Sequence, residues 1–222
     1  MISDKDSTII IDTGCANLSS VRYAFERINA DVEISDDIDK IRNATRIVLP
    51  GVGSAQAAMA SLRSKNLIAV IQSLTQPVLG VCLGMQMMTN SSTEKGINDD
   101  GDACACLGLI DTEISDLDSK GLPLPHMGWN QISPSAHPLF NGIADGSYVY
   151  FVHSYRAPLS QYTIAQSEYG ERFSAAIAKD NFMGVQFHPE KSAAVGAQIL
   201  KNFMKMTSDN LPSRLTPSEA EL

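Results

Sequence analysis

The residues best suited to chemistry begin with a cysteine, in Pro77-Val78-Leu79-Gly80-Val81-Cys82-Leu83-Gly84-Met85-Gln86. It closes a short apolar run and has a glycine two residues before it and two after. G-x-C-x-G follows the logic of the G-x-S-x-G nucleophile elbow, a strained strand-to-helix turn that lifts a nucleophile into a cleft. Glycines on both sides lack a Cβ and are expected to let the chain bend sharply. A helix N-terminus behind the thiol would favour thiolate. A small buried cysteine with incidental glycines fits the same ten residues, and the pattern alone does not separate the two.

A nucleophilic thiol needs a base, and the chain has four histidines. His137 lies in a Ser-Ala-His-Pro loop, His126 in Pro-His-Met-Gly-Trp-Asn, and His153 ends a β-rich run. His188 follows Met183-Gly-Val-Gln-Phe187 in GVQFHPEKS, so a strand would deliver it to the same edge as Cys82. Pro189 stiffens the turn, and the Glu190 carboxylate can reach back to fix the imidazole tautomer. Cys82, His188 and Glu190 thus have the makings of a nucleophile, a base and an orienting group. Attack on a carbonyl also needs oxyanion donors. Leu83 offers one backbone N–H, and Pro50-Gly51-Val52-Gly53 offers a second or is a plain strand-to-helix turn.

The elements that must position these residues alternate along the first half of the chain. Ser7–Asp12, Asp31–Ser35, Arg46–Pro50 and Pro77–Val81 read as strands, and Asn17–Ile28 and Gln56–Leu74 as helices. Continuously apolar strands separated by helices indicate a parallel sheet covered on both faces, whose binding site lies at the strands' C-terminal ends. In the second half, Tyr148–Val152, Tyr162–Ala165 and Ser174–Ala178 follow one another without a long helix, as antiparallel hairpins do. Met183–Phe187 is a further strand and Ala193–Met206 a closing helix. The expected fold is therefore α/β, with a mainly parallel central sheet, flanking helices and antiparallel strands added in the second half. One domain is expected over residues 1–207, with a polar tail over 208–222.

Composition excludes several function classes. The chain has 222 residues, 44% of them apolar, enough for one sizeable core, and a formal charge of -8. That charge argues against a broad nucleic-acid surface or an anionic-membrane anchor. Without an apolar stretch of about 20 residues or a secretory leader, a soluble, cytoplasmic protein is the expectation. Cys104 and Cys106 form a C-x-C with no histidine or second cysteine pair nearby to complete a zinc site, and read as ordinary thiols in or near a loop. Cys15 has no elbow around it. No metal and no cofactor are expected.

Taken in order, IDTGCANLSSV, LPGVGS, GVCLGMQ, the Gly-Leu-Ile at Gly108, LPHMGWN, YVYFVHSYR and GVQFHPEKS with LKNF resemble the class I (triad) glutamine amidotransferases. LPHMGWN and HPEKS are most similar to the branch formed by the glutaminase subunits of imidazole glycerol phosphate synthases, and argue against the anthranilate synthase branch. A complete Cys82–His188–Glu190 set argues against a non-catalytic scaffold.

The resemblance implies that Cys82 attacks the side-chain amide of L-glutamine to give a thioester, then glutamate and ammonia. His188 would be general base and acid, Glu190 its orienting group, and the Val52 and Leu83 N–H groups the oxyanion hole. Gly51, Gly53, Gln86, His153, Ser154 and Tyr155 match positions that line or border the glutamine pocket. The resemblance further implies a (β/α)8-barrel cyclase partner in a heterodimer. Ammonia would reach that partner through a tunnel, for synthesis of imidazole glycerol phosphate and aminoimidazole carboxamide ribonucleotide in histidine biosynthesis. Trp129, Asn130 and Tyr150 match positions at the interface. Slow hydrolysis is implied for the isolated glutaminase, because its oxyanion loop must reorient. The family usually opens with Asp-Tyr-Gly and then Gly-Asn. Here Asp12, Gly14 and Asn17 persist, while Thr13 and Ala16 replace the aromatic and a glycine, which leaves the shape of that first loop open.

Overall fold

The computed structural model describes residues 6–14, 18–94 and 103–211. Its first half alternates strands and helices: β1 (Thr8–Ile11), α1 (Leu18–Glu26), β2 (Glu33–Ser35), α2 (Ile38–Asn43), β3 (Arg46–Gly51), α3 (Ala55–Ser64), α4 (Ile68–Gln72), β4 (Val78–Cys82) and α5 (Leu83–Met87). Three short strands follow: β5 (Ser91–Ser92), β6 (Cys104–Ala105) and β7 (Glu113–Asp116). Then come β8 (His126–Pro134), β9 (Ser147–His153), β10 (Tyr155–Arg156), β11 (Thr163–Tyr169), β12 (Glu171–Lys179), β13 (Phe182–Val185) and α6 (Ala193–Met204).

Nine strands form one sheet in the order β2-β1-β3-β4-β13-β12-β11-β8-β9. The pairs from β2 to β13 are parallel, and β12, β11, β8 and β9 continue antiparallel. The expected α/β architecture, a parallel half extended by antiparallel strands, is the one observed. A second sheet, β10-β7-β5-β6, lies apart from the large one.

The apolar runs are continuous because both faces of the parallel half are covered. Ile10 and Val48 join α1 and α6 residues such as Phe25, Leu200 and Phe203 in one core. Their neighbours Ile9, Ile11, Ile47 and Leu49 join Ile41, Met59, Leu62 and Ile71, from α2–α4, in the other. Strand alternation divides one apolar run between two cores.

Three local differences from the sequence reading have physical causes. The helix expected over Gln56–Leu74 is two, because Asn66 adopts φ 58° and the Leu67 N–H bonds back to the Leu62 carbonyl at 2.9 Å. That six-to-one bond is a Schellman ending, with asparagine tolerating the left-handed position. A nine-residue strand, β8, begins at His126 within LPHMGWN, where the sequence reading assigned no strand. At the other end, Ser208–Asn210 form a capped single turn and Leu211 packs on the core, so the expected polar tail starts inside ordered structure. Cys15, Ala16 and Asn17 of the first loop lie outside the described residues, as do 212–222. Thr13 is buried, and its carbonyl accepts from Ser61 Oγ at 2.6 Å. Among the described residues no helix is long and apolar enough to cross a membrane.

The register of β3 and β4 pairs Gly51 with Cys82, and β13 pairs Val185 with Val81 on the other side. Three parallel strands therefore end side by side and deliver 51–53, Cys82 and 186–188 to one edge. Helix α5 crosses this edge so closely that glycine is required beneath it. A β-carbon on Gly80 would lie 2.7 Å from Gly84 C, one on Gly51 2.9 Å from Gly84 N, and one on Gly84 would overlap the Leu49 carbonyl. Gly84→Ala is expected to destabilise the protein by about 3 kcal/mol or more. Chemical denaturation checks this, and an unchanged midpoint would contradict the packing assigned to α5.

Candidate active site

Cys82 is the last residue of β4 and the residue before α5, with φ 53° and ψ −112°. A non-glycine residue there is strained by about 1–3 kcal/mol. The sequence reading assigned the bend to the flanking glycines. The structure corrects this: the positive φ belongs to Cys82 itself, and Gly80 and Gly84 instead permit the close approach of α5 to β3 and β4.

Cys82 opens onto a cleft of about 360 Å³ lined by Val52, Gly53, Leu83, Gln86, Glu94, Val152, His153, Ser154, Tyr155, His188 and Lys191. That volume suits a small ligand. His188 shares the cleft with Cys82, and its Nδ1 lies 2.8 Å from Glu190 Oε1, while the Cys82 thiol donates to the Val152 carbonyl at 3.9 Å. Burial opposes a charge on His188, yet its interactions with Cys82 and Glu190 outweigh it and hold its pKa up to about 10. Glu190 is buried, and its Oε2 has no hydrogen-bond partner among the described residues, so the imidazole is the one hydrogen-bond partner of its carboxylate there. The turn is anchored from β9, where the Tyr150 carbonyl accepts from His188 N at 2.9 Å and Tyr150 N donates to Ser192 Oγ at 2.9 Å.

The other three histidines have different surroundings from His188, with no carboxylate partner among the described residues. Burial pushes His126 and His137 down to about 4 and His153, with the same leading cause, to about 3. His137, in a loop where a surface histidine would be ordinary, is buried and accepts from Leu139 N at 3.2 Å. His153 borders the cleft, but its Nδ1 is 2.8 Å from the Tyr155 carbonyl and its Nε2 2.9 Å from His126 Nδ1.

The structure thus gathers Cys82, Val52, Gly53, Leu83, Gln86, His153, Ser154, Tyr155 and His188 around one cleft. Glu190 stands behind His188, and Gly51 lies beneath α5 as the partner of Cys82. Trp129 and Tyr150 are paired across β8 and β9, their rings edge-to-face at 6.0 Å. Trp129 is 52% exposed, with Met127 at 62% and Tyr148 at 53% on the same face of the two strands. Asn130 alternates to the opposite face, where its Nδ2 donates to the Glu168 carbonyl at 2.8 Å and reaches His126 Nε2 at 3.2 Å.

Glu94, Val152 and Lys191 line the cleft, and Gln186 bonds to Cys82 from outside it, without the sequence having marked them as site residues. Glu94 accepts from Ala55 N at 2.8 Å, and burial raises its pKa. Nothing in Ser91-Ser-Thr-Glu94 marks it. Lys191, in the turn after His188, holds its Nζ 5.7 Å from the Tyr150 ring and was legible only as part of HPEKS. Gln186 donates through Nε2 to Cys82 Sγ at 3.8 Å. A glutamine between buried Val185 and Phe187 did carry a signal, since a buried amide must find partners. Cys104 belongs to β6, Cys106 follows it, and burial pushes the Cys106 thiol up to about 12. Among the described residues no group of three or more histidine, cysteine, aspartate or glutamate side chains could hold a metal ion.

Comparison with known proteins agrees with this geometry. Residues 9–206 match the family model of class-I glutamine amidotransferases. A protein of Shewanella loihica named imidazole glycerol phosphate synthase subunit HisH is 76% identical over 204 residues, covering 90% of this chain and 91% of its own. One of the same name from Colwellia psychrerythraea is 55% identical over 216 residues, covering 93% and 96%. In fold, the chain is similar to a solved glutamine amidotransferase at TM-score 0.66 and 11% identity, over 89% of this chain and 97% of that one. A glutamine amidotransferase from Thermotoga maritima superposes at TM-score 0.59 and 17% identity, covering 90% and 83%.

Proposed function

Because the chain belongs to the class-I glutamine amidotransferases, we propose that it is the glutaminase subunit of an imidazole glycerol phosphate synthase, hydrolysing L-glutamine at Cys82 and passing the ammonia to a cyclase partner. The observation that carries the reading is a thiol on a strained elbow that shares one cleft with an imidazole oriented by a buried carboxylate.

Glu190 takes Nδ1 of His188 and leaves the other ring nitrogen for the thiol. His188, held protonated by its pairing with Glu190, already carries the proton that the nucleophile must lose, and Cys82 Sγ attacks the carboxamide carbon of glutamine. The oxyanion forms between the Leu83 N–H and the N–H of Val52, on the loop that the Gly51–Cys82 register holds beside the nucleophile. His188 protonates the departing nitrogen, and the C–N bond breaks to release ammonia and leave the glutamyl thioester. A water, deprotonated by His188, adds to the thioester carbon. Collapse of that adduct breaks the C–S bond, frees glutamate and restores Cys82. Gln86, Ser154 and Tyr155 border the bound substrate. The Glu94 carboxylate suits the α-ammonium of an amino acid, a pairing that favours its ionised form on binding.

The partner is assigned to the face carrying Met127, Trp129, Tyr148 and Tyr150. Exposed aromatic and thioether side chains clustered on one sheet face are the composition of an interface core. Val152 pairs with Met127 on that face and also lines the cleft, so the face leads to the site where ammonia forms. Two curated relatives carry names that make them subunits of a synthase, which supports an assembled enzyme.

With the cyclase partner and its ligand present, Cys82→Ala is expected to lower glutamate release by at least about 10³-fold. Undiminished turnover would overturn the assignment. Trp129→Ala is expected to leave the thermal melt intact and weaken association with the partner by about 10-fold or more. Calorimetry checks this, and an unchanged Kd would move the interface elsewhere.

A further inference from the structure

Gln86, Gln186, His126 and His153 are all buried polar side chains, and together they form more than a set of separate contacts. The Tyr155 carbonyl is their meeting point. It accepts from His153 Nδ1 at 2.8 Å on one side and from Gln86 Nε2 at 3.3 Å on the other. A carbonyl only accepts, so the proton of His153 must sit on Nδ1. With His153 neutral, its Nε2 must then accept, and His126 Nδ1 at 2.9 Å is the donor. By the same step His126 Nε2 accepts from Asn130 Nδ2, 3.2 Å away. Asn130 is itself oriented, because its Nδ2 also serves the Glu168 carbonyl and its Oδ1 accepts from Gln131 N at 2.8 Å.

The other arm is fixed in the same way. Gln86 must turn Nε2 towards Tyr155, and the same nitrogen donates to Gln186 Oε1 at 2.9 Å. Gln186 therefore presents its own Nε2 to Cys82 Sγ at 3.8 Å. One arrangement of protons satisfies the whole series from Asn130 to the nucleophile. The two imidazoles are further locked by ring packing, His126 lying between Phe151 and Tyr169 with centroids 4.8 and 4.1 Å away.

We propose that Asn130, His126, His153, the Tyr155 carbonyl, Gln86 and Gln186 act as a single positioning array that sets the amide donor on Cys82 Sγ and the 152–155 wall of the cleft. Its inner end touches the nucleophile. Its outer end lies on β8, next to Trp129. Burial that keeps both imidazoles neutral is consistent with this, because a second proton on either ring would face a donor with a donor. The inference rests on the glutaminase reading for its consequence in catalysis, but not for its consequence at Cys82.

The test uses the full chain and reads the rate of Cys82 alkylation by iodoacetamide, resolved by peptide mass spectrometry, beside glutamine hydrolysis. His126→Phe keeps the ring packing and removes both nitrogens. Gln186→Met keeps the side-chain length and removes the amide. Each is expected to change the alkylation rate by about 5-fold or more, with the double variant within about 2-fold of the more affected single one. In hydrolysis kcat should fall with KM within about 2-fold. A wild-type chain that alkylates at Cys82 but releases no glutamate with the cyclase partner and its ligand present would overturn the glutaminase reading and leave the alkylation cycle to judge the array.

Asn130→Asp, at the half-exposed end, covers the case in which a core variant does not fold. It substitutes acceptors for donors and should drive His126 from its Nδ1–H tautomer, seen by histidine ¹⁵N NMR, while changing Cys82 alkylation. Folded His126→Phe with an unaltered Cys82 rate, strictly additive effects in the double variant, or an Asn130→Asp chain whose tautomer changes without effect at Cys82 would each overturn the array.

Discussion

The backbone of Cys82 stands in a conformation that a non-glycine residue adopts only at a cost, and the sheet around it is arranged to hold it there. β3 and β13 flank β4 in parallel register, and α5 presses back on them over a floor of glycine. A side chain on Gly84 would meet the Leu49 carbonyl, so the helix could not start where it does and the residue before it could relax. Strain at one residue is sustained because the rest of the packing leaves no alternative. The same register makes the site. Parallel neighbours all end at one edge, so Gly51–Gly53, Cys82 and Gln186–His188 arrive together although the last group lies more than a hundred residues beyond Cys82 in the chain.

Electrostatics then distinguish groups that composition treats as equal. All four histidines are buried. Three have no carboxylate partner among the described residues, and burial keeps them neutral. His188 alone is held between an anionic oxygen and the thiol, and there pairing overcomes desolvation. The neutral three are not inert: His126 and His153 supply directional hydrogen bonds that a charged ring could not.

Much of this was legible in the chain. Apolar runs without alternation gave the parallel half of the sheet, and G-x-C-x-G with His-Pro-Glu marked the thiol and the imidazole that the structure brings to one cleft. What escaped depends on contacts that no local pattern encodes. Glu94 reaches the cleft from the end of a two-residue strand, where neither its neighbours nor its spacing distinguish it. The function of Gly80 and Gly84 was misread, because sequence shows that a Cβ is missing but not what would occupy its place. The break at Asn66 turned on one left-handed residue in an otherwise helical run. Asn130, adjacent to Trp129 in sequence, faces the other side of the sheet once β8 is known to be a strand. Gln186 could have been found by asking why a buried strand end carries an amide.

The central claim is that glutamine is opened by covalent attack from Cys82. It is tested most directly by rapidly quenching the protein, in complex with its cyclase partner, during turnover of glutamine and locating any acyl adduct by peptide mass spectrometry. Covalent attack by Cys82 requires a glutamyl thioester on the peptide bearing it, absent from Cys82→Ala. Glutamate formation with no adduct on that peptide, or with the adduct on Cys104 or Cys106, would contradict it.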